Sequence, residues 1–268
     1  MNPLAEQGAA LLGGKLRHVQ PLGGGSLSAL VRIVLEDGRE AIVKTGPAPQ
    51  SEARMLKALQ QAGVPAPEVY AANGEALVIA VLASEGGVGT VWSDLGRVLH
   101  TLHQSHGTRY GWEEDYAFGP VAITNRWSDD WPLFWAEHRL LCHLRSVGTS
   151  LARRLELLCS DLYNRLPAAP VPSLLHGDLW GGNVLVKGER VSGLIDPACY
   201  FGHGEVDIAM LEMFDHPGAA FFSAYGELES GHKERLAIYR LWPALVHLRL
   251  FGSGYRPLVE RLLTELGV

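Results

Sequence analysis

The pattern of apolar residues changes after the first third of the chain. Short apolar runs at residues 29–35, 40–44 and 76–82 are typical of β-strands. From residue 93 onward, apolar side chains recur every three or four positions, which predicts helices; the clearest segments are 95–102, 131–147, 151–166, 205–214 and 235–251. The sequence therefore predicts an α+β protein with a small β-rich lobe, residues 1–83, and a larger, mainly α-helical lobe, residues 84–268.

One helix is predicted inside the strand-rich part. It begins at Ser51, a suitable N-cap, and ends at Gly63. Glu52, Leu56 and Leu59 fall on one stripe of this helix, and a carboxylate at the head of an apolar stripe is expected to face inward. Glu52 is therefore available to a partner on the neighbouring sheet.

Length and composition indicate a globular enzyme-sized chain. The 268 residues and the 47% apolar content are sufficient for one large domain or two lobes that share a cleft. No run of eighteen apolar residues occurs, and the first residues lack the basic and apolar regions of an export signal. We therefore expect a cytoplasmic protein without a membrane segment.

Cysteine spacing and charge exclude several other classes. Cys142, Cys159 and Cys199 are far apart and form no Cys-x-x-Cys pair, which argues against a disulfide framework and against a zinc site. The net charge of −6 and the scattered basic residues provide no footprint for nucleic acid.

The most informative motif is the run His176-Gly177-Asp178-Leu179-Trp180-Gly181-Gly182-Asn183. Asp178 precedes Asn183 by five positions, the interval between the catalytic Asp and the metal-binding Asn of the protein-kinase signature. Apolar runs at 184–186 and 191–195 predict a hairpin that returns Asp196 towards Asp178. The alternative is a turn rich in Gly and Asp, with His176 as a structural histidine. Three polar residues at kinase intervals favour the catalytic interpretation.

Phosphoryl transfer explains why these residue types occur together. A hydroxyl that attacks the terminal phosphate of ATP must be oriented and must lose its proton, so a carboxylate is needed within hydrogen-bond reach; Asp178 is predicted as this base. Charge on the phosphates is neutralised by Mg²⁺, which prefers oxygen ligands, and Asn183 and Asp196 are predicted to supply them.

Lys44 ends an Ala-Ile-Val run, as does the kinase lysine that pairs with the α- and β-phosphates. Kinases pair this lysine with a glutamate on the following helix, and Glu52 is the predicted partner. The alternatives are a strand-end lysine that reaches water and a first-turn acid favoured by the helix dipole. The kinase motif downstream favours the ion pair.

Two further segments are candidates for nucleotide contacts. Gly23, Gly24 and Gly25 precede a strand, and backbone N–H groups of glycines can approach phosphates closely; a flexible hairpin is the alternative. The backbone of Ala80, Val81 and Leu82, before the Gly-rich connector to the helical part, is predicted to contact the adenine edge. A simple linker would have the same composition.

Several segments together resemble the fructosamine/ketosamine kinase family, within the larger aminoglycoside-phosphotransferase-like group. His-Gly-Asp with the downstream Asn marks the larger group, whereas Trp180 and Asp196-Pro197-Ala198 are similar to the ketosamine kinases themselves. The similar segments are residues 173–183, 196–200, 205–210, 250–255 and, within 125–140, Asn125-Arg126-Trp127, Asp130-Trp131, Phe134-Trp135 and Arg139-Leu140.

The resemblance implies a bilobal protein-kinase-like fold and ATP- and Mg²⁺-dependent phosphorylation of the third-carbon hydroxyl of a sugar ketoamine. The substrates would be small-molecule ketosamines or glycated protein lysines, and decomposition of the phosphate ester would release the amine. Asp207 would brace the catalytic loop. Substrate contacts are expected from Trp180, Asn125, Trp127 and His247. The chain would act as a monomer or homodimer.

Departures from the family pattern occur at Ala80, in the segments 202–204 and 215–217, and in the short glycine loop with Ser26 and Ser28; none of them affects the predicted base or metal ligands. They leave open a kinase for an aminoglycoside or amino alcohol, and a pseudokinase that binds nucleotide without turnover. A pocket for a polycationic drug would require clustered acidic residues, and in the helical part adjacent acids occur only at Asp129-Asp130 and at residues 113–115. A pseudokinase would lack a catalytic group, whereas all the expected catalytic groups are present. Both observations favour an active ketosamine kinase.

Overall fold

A five-stranded antiparallel sheet forms the N-terminal part of the computed structural model, which describes residues 2–23 and 28–268. The strand order is β1-β2-β3-β5-β4. Their bounds are β1 Leu16–Leu22, β2 Leu30–Leu35, β3 Glu40–Lys44, β4 Val69–Ala72 and β5 Leu77–Ile79. The strand predicted over 76–82 therefore ends earlier, so Ala80 to Leu82 lie in the connector to the next lobe.

One face of this sheet is covered by helix α1, Pro3–Leu11. Alternation in β2 places Val31, Ile33 and Leu35 in the core with Ala5 of α1. The Asn2 side chain caps α1 by accepting from the N–H groups of its first turn at 3.1 and 3.2 Å. Helix α1 thus shields this face of the sheet from water.

Helix α2, Pro49–Gln61, packs on the other face and also contacts the C-terminal lobe. Leu56 belongs to the cluster formed with strand β5, whereas Met55 and Leu59 belong to the large core of the helical lobe. The prediction of Ser51 as N-cap is wrong. The helix starts at Pro49, whose fixed φ suits a first helical position, and Ser51 lies in the first turn.

The remainder is mainly helical. Its helices are α3 Trp92–His103, α4 Trp131–Trp135, α5 Leu144–Val147, α6 Thr149–Cys159, α7 Leu162–Arg165, α8 Glu205–Phe214, α9 Ala219–Tyr225, α10 His232–Phe251 and α11 Arg256–Glu265. Three two-stranded sheets complete it, in which β6 pairs with β7, β8 with β11, and β9 with β10. The strand bounds are β6 Tyr116–Phe118, β7 Val121–Ile123, β8 Ser173–Leu175, β9 Val184–Lys187, β10 Arg190–Leu194 and β11 Tyr200–Gly202. The prediction of an α+β bilobal fold is confirmed.

One helical segment differs from its predicted form. The segment 131–147 is not a single α-helix, because a π-turn at Ala136–Leu140 and a 3₁₀ turn at Leu141–His143 separate α4 from α5. The π-turn contains Arg139, whose buried guanidinium lies over the rings of Tyr200 and Trp242 at 4.1 and 4.8 Å. The local change in winding brings this cation into the aromatic core.

The lobes are joined by several hydrogen bonds near the hinge. The Glu85 N–H donates to Val186 O at 2.6 Å, and the Ser192 hydroxyl donates to Ala83 O at 2.6 Å. Leu194 N–H donates to Pro65 O at 2.9 Å. The β9–β10 hairpin is thereby held against both the connector and the N-terminal lobe. Among the described residues, no helix is long and apolar enough to cross a bilayer.

Candidate active site

The segment between β8 and β9 forms a loop that is held from inside the protein by Asp207. Asp207 lies in the first turn of α8 and accepts from the backbone N–H groups of His176 and Gly177 at 2.7 and 2.9 Å. His103 of α3 hydrogen bonds with the same carboxylate at 3.2 Å. The structure therefore has Asp207 bracing this loop, as the resemblance implies.

His176 has a structural role in the loop. Its ring is fully buried, Nε2–H donates to Ile195 O at 3.0 Å, and Nδ1 accepts from the Asp178 N–H at 3.3 Å. Burial lowers the pKa of His176, which keeps the ring neutral, and the two hydrogen bonds specify its tautomer. His176 thus orients the backbone immediately before Asp178.

Gly177 cannot be replaced without moving the chain. Its φ is +79°, a conformation that glycine adopts without steric cost, and a Cβ here would lie 2.0 Å from Ala198 O. The Ala198 N–H also donates to His176 O at 2.8 Å. The loop and the segment after Asp196 are therefore in direct backbone contact.

The structure brings Asp178, Asn183 and Asp196 to one cavity. The Asn183 amide donates to the Asp178 backbone oxygen at 2.8 Å and to its carboxylate at 3.1 Å. Ile195 N–H donates to Asn183 O at 3.0 Å, so the β9–β10 hairpin returns the chain to the loop. Asp196 has a positive φ of 54°, an unusual conformation for a residue other than glycine.

Burial and two neighbouring carboxylates disfavour ionisation of Asp178. Burial raises the pKa of Asp178 to about 7, and the nearby Asp196 and Asp207 add to the rise, whereas the Asn183 hydrogen bond and Lys44 oppose it. A carboxylate with a pKa near neutrality is well matched to proton transfer at physiological pH.

Lys44 is buried between two carboxylates. Its Nζ lies 2.8 Å from Glu52 Oε1 and also contacts Asp196 Oδ1. The pKa of Glu52 is raised mainly by burial, which the Lys44 charge partly offsets. Burial lowers the pKa of Lys44, but the two carboxylates outweigh this effect and the pKa is raised overall. The lysine is thus held as a cation at the edge of the site.

The cavity has a volume of about 390 Å³, and Asp178 lies in its lining. Trp180 and His247, which are predicted to contact the substrate, line it. Asn125 and Trp127 do not: Asn125 is buried and accepts from Arg139 at 2.7 Å, and Trp127 stacks on Phe201 with ring centroids 6.3 Å apart. Asn125 hydrogen bonds with the buried Arg139 and Trp127 stacks on Phe201, and neither residue lines the cavity.

The residues predicted to contact the nucleotide lie in the N-terminal lobe and in its connector to the helical lobe. Gly23 follows β1, and a Cβ there would meet no other atom within 4 Å; Gly24 and Gly25 lie outside the described residues. Ala80 N–H donates to Glu68 O at 2.8 Å, which leaves its carbonyl oxygen for other partners. Leu82 packs over Gly193, where a Cβ would lie 2.3 Å from its Cδ1.

Several residues that line the cavity were not predicted. Phe214, Phe251 and Tyr255 contribute aromatic rings. Asp215 does not line the cavity, but it accepts from the Gly181 N–H of the loop at 2.6 Å. The resemblance includes the segment 250–255, so Phe251 and Tyr255 had a signal in the sequence. For Phe214 and Asp215, the sequence indicated only that they lie at the end of an apolar helix.

The donor set suits a magnesium–nucleotide complex. Asn183 and Asp196 supply oxygens, and within the described residues no group of three or more His, Cys, Asp or Glu side chains forms a self-contained metal site. Mg²⁺ in phosphotransferases typically takes one or two protein ligands together with phosphate oxygens. An acid, an amide, a second acid and a paired lysine on this two-lobed fold define a protein-kinase-like phosphotransferase.

Comparison with known proteins narrows this class. Residues 6–267 match the model of the fructosamine kinase family, and the chain belongs to this family. A Synechocystis protein named probable ketoamine kinase is 37% identical over 235 residues, which cover 81% of this chain and 77% of that protein. A chloroplastic protein-ribulosamine 3-kinase of Arabidopsis thaliana is 30% identical over 266 residues, with 91% and 81% coverage.

A solved structure is also similar throughout. The crystal structure of a Thermobifida fusca protein assigned as a fructosamine-3-kinase has a TM-score of 0.90, 28% sequence identity and 99% coverage of both chains. Membership of this kinase family identifies the chain as an ATP-dependent phosphotransferase.

Proposed function

We propose that this protein phosphorylates the third-carbon hydroxyl of ketosamines, with ATP as the phosphoryl donor. The convergence of Asp178, Asn183 and Asp196 on one open cavity is the observation that carries the proposal. The names of the ketoamine kinase and ribulosamine kinase relatives support the substrate class. Ketoamines on small amines and on protein lysines are the proposed substrates, and a cytoplasmic location is proposed because the reaction consumes ATP.

Asp178 is proposed as the general base. It accepts the proton of the attacking hydroxyl while the oxygen forms a bond to the γ-phosphorus and the bond to ADP breaks. The Asn183 amide donates to the Asp178 carboxylate and fixes its orientation, so that one oxygen remains for the substrate. The product is a ketoamine phosphate, which then decomposes and releases the amine.

Asn183 and Asp196 are proposed as the ligands of Mg²⁺. The Asn183 nitrogen donates to Asp178, which leaves its amide oxygen for a metal, and the Asp196 side chain is 40% exposed at the cavity. Both are hard oxygen donors, as this ion prefers. Bound Mg²⁺ would supply neutralisation of the phosphate charge.

Lys44 and Glu52 are proposed to orient the α- and β-phosphates. The Lys44 ammonium is pre-positioned by its two carboxylate partners, so little side-chain entropy is lost when a phosphate arrives. Gly23 with Gly24 and Gly25 is proposed to cover the phosphates, and the backbone of Ala80, Val81 and Leu82 to contact adenine. With the proposed lobe boundary at residues 83 and 84, these groups belong to the N-terminal lobe, whereas Asp178 belongs to the C-terminal lobe.

Turnover assays test this function. ADP release is measured with ribuloselysine, fructoselysine, kanamycin and choline, for the wild type and Asp178→Ala, and the phosphorylated carbon is located by NMR. We expect ketoamine-dependent ADP release, and a loss of about 10²–10⁴-fold in Asp178→Ala. Release with kanamycin or choline alone would refute the substrate class, and wild-type turnover by Asp178→Ala would refute the base.

A further inference from the structure

The cavity beside Asp178 has two chemically distinct ends. Asp178, Asn183 and Asp196 form the polar end, whereas most of the other lining residues are aromatic or aliphatic. Among the described residues that line it, the acids are Asp178 and Asp196, both of which belong to the reacting end. The far end therefore has no carboxylate for a cationic group and is suited to an apolar one.

Five rings form a continuous surface at this far end, which we call the aromatic wall: Trp180, Phe214, His247, Phe251 and Tyr255. His247 is central, with ring centroids 5.1 Å from Phe214, 5.4 Å from Phe251 and 5.0 Å from Tyr255. Trp180 joins through Phe214 at 6.3 Å. The wall thus extends from the loop that carries the base to the end of α10.

The central ring of the wall is uncharged. Nδ1 of His247 lies 2.8 Å from Pro243 O, and a carbonyl oxygen accepts, so this nitrogen carries a proton. Burial lowers the pKa of His247, which disfavours a second proton at neutral pH. The wall therefore offers apolar ring surface to a ligand, without a positive charge that would attract a carboxylate.

Two rings of the wall are open to water. Trp180 is 43% exposed and Phe251 is 50% exposed. A contiguous aromatic surface at the mouth of a cavity is a binding feature, because burial of its apolar area stabilises a complex. A cavity of about 390 Å³ has the size of sites that hold a whole small ligand.

We propose that the aromatic wall binds the substituent on the ketoamine nitrogen and selects ketoamines in which that substituent is apolar near the nitrogen. The proposal rests on the function proposed above, because the reacting hydroxyl must lie at Asp178. A ketoamine on a lysine side chain or an aralkyl amine presents methylenes or a ring to the wall. A ketoamine on the α-amino group of an amino acid presents a carboxylate to the wall. This carboxylate would be desolvated without a hydrogen-bond or ion-pair partner, which is unfavourable.

Three ribulose ketoamines that share the sugar and the reacting hydroxyl provide the test, with benzylamine, ethanolamine or glycine as the amine. We expect kcat/KM for the benzylamine adduct to exceed that for the glycine adduct by about tenfold or more. In Phe251→Ala, the benzylamine adduct should lose most of this advantage, while the ethanolamine adduct changes little. Phe251→Leu, which keeps apolar volume, should be intermediate.

Tyr163→Ala is the matched control, because Tyr163 is an exposed aromatic residue, 58% accessible, that does not line this cavity. It should leave all three values of kcat/KM unchanged. Equal kcat/KM for the benzylamine and glycine adducts in the wild type would overturn the proposal, as would an equal loss for all three adducts in both Phe251 variants. If the wild type phosphorylates none of the adducts, the proposed function itself fails, which is a different result.

Discussion

At the scale of single residues, the site concentrates like charges. Asp178, Asp196 and Asp207 lie close enough for the latter two to raise the pKa of Asp178, and Lys44 offsets only part of this repulsion. Catalytic sites commonly retain such unfavourable arrangements because the chemistry requires them. The cost should therefore appear as lost stability in the protein without bound nucleotide.

Asp178→Asn should stabilise the nucleotide-free protein while abolishing turnover. The pKa of Asp178 is about 7 in the folded protein against an ordinary value of 3.8, so ionisation of this group opposes folding as the pH rises above 3.8, and the cost is complete above pH 7. Thermal unfolding in the presence of chelator should show a Tm gain of about a few degrees near pH 8. The gain should shrink towards pH 5.

The control for this prediction is Glu113→Gln, which removes an exposed acid outside the cavity. Its Tm should match that of the wild type across the same pH range. An Asp178→Asn protein that is less stable than the wild type near pH 8 would contradict the assignment of a strained carboxylate.

Lys44 and Glu52 should behave as a buried pair whose members depend on each other. Lys44→Met leaves Glu52 buried without its cation, which should lower the free energy of unfolding by about 3–5 kcal/mol. The double variant with Glu52→Gln should recover a large part of this loss, although its turnover remains low. Urea unfolding measures both effects, and strictly additive losses in the double variant would exclude the pair.

At the scale of elements, helix α2 is held in place from the other lobe. Glu114 accepts from the Arg54 guanidinium, with 2.7 Å between Nε and Oε1, and from the Ser51 hydroxyl at 2.7 Å. Both donors lie in the N-terminal half of the helix, and Glu52 lies between them in the sequence. The contact therefore positions the glutamate that pairs with Lys44.

Glu114→Ala should lower kcat by about tenfold or more, because small displacements of positioning groups are costly in catalysis. The partly exposed pair itself contributes little to stability, so Tm should change only slightly. Steady-state kinetics with ATP as the varied substrate measures the effect. Glu113→Ala, the neighbouring exposed acid, is the control and should keep wild-type kcat. A wild-type kcat in Glu114→Ala would mean that α2 is held by packing alone.

Local geometry accounts for the differences between predicted and observed elements. The kinase intervals around Asp178 were recognisable because one loop and one hairpin carry all three groups, so sequence spacing and spatial spacing are nearly equivalent. The N-cap at Ser51 was wrong because Pro49 can begin a helix, and Ser51 instead reaches Glu114 across the cleft. The hydrogen bond between Asn125 and Arg139 could not be read from the sequence, because Arg139 lies in another element and is buried among aromatic rings.

At the scale of the whole molecule, the lobes share a core. Met55 and Leu59 of α2, together with Val64, belong to the same apolar cluster as the helices of the C-terminal lobe. Hydrogen bonds from Glu85 and Leu194 cross the hinge region. The proposed boundary at residues 83 and 84 therefore separates lobes that are expected to unfold together.

Differential scanning calorimetry should show one transition whose calorimetric and van 't Hoff enthalpies agree. A fragment of residues 1–83 should remain largely unfolded, because the apolar face of α2 that packs on the C-terminal lobe would be exposed to water. Two resolved transitions in the full chain, or a stably folded fragment, would show that the lobes are independent.

The sequence by itself determined the two-lobed pattern, the intervals among Asp178, Asn183 and Asp196, and the resemblance to the fructosamine kinases. These are local properties, since periodicity and short motifs depend on neighbours along the chain. Only the tertiary structure decided that Lys44 contacts Asp196, that Asp207 accepts from the backbone N–H groups of His176 and Gly177, and that five rings from four segments form one wall. Such contacts join residues far apart in the sequence, and packing selects them from many chemically equivalent candidates.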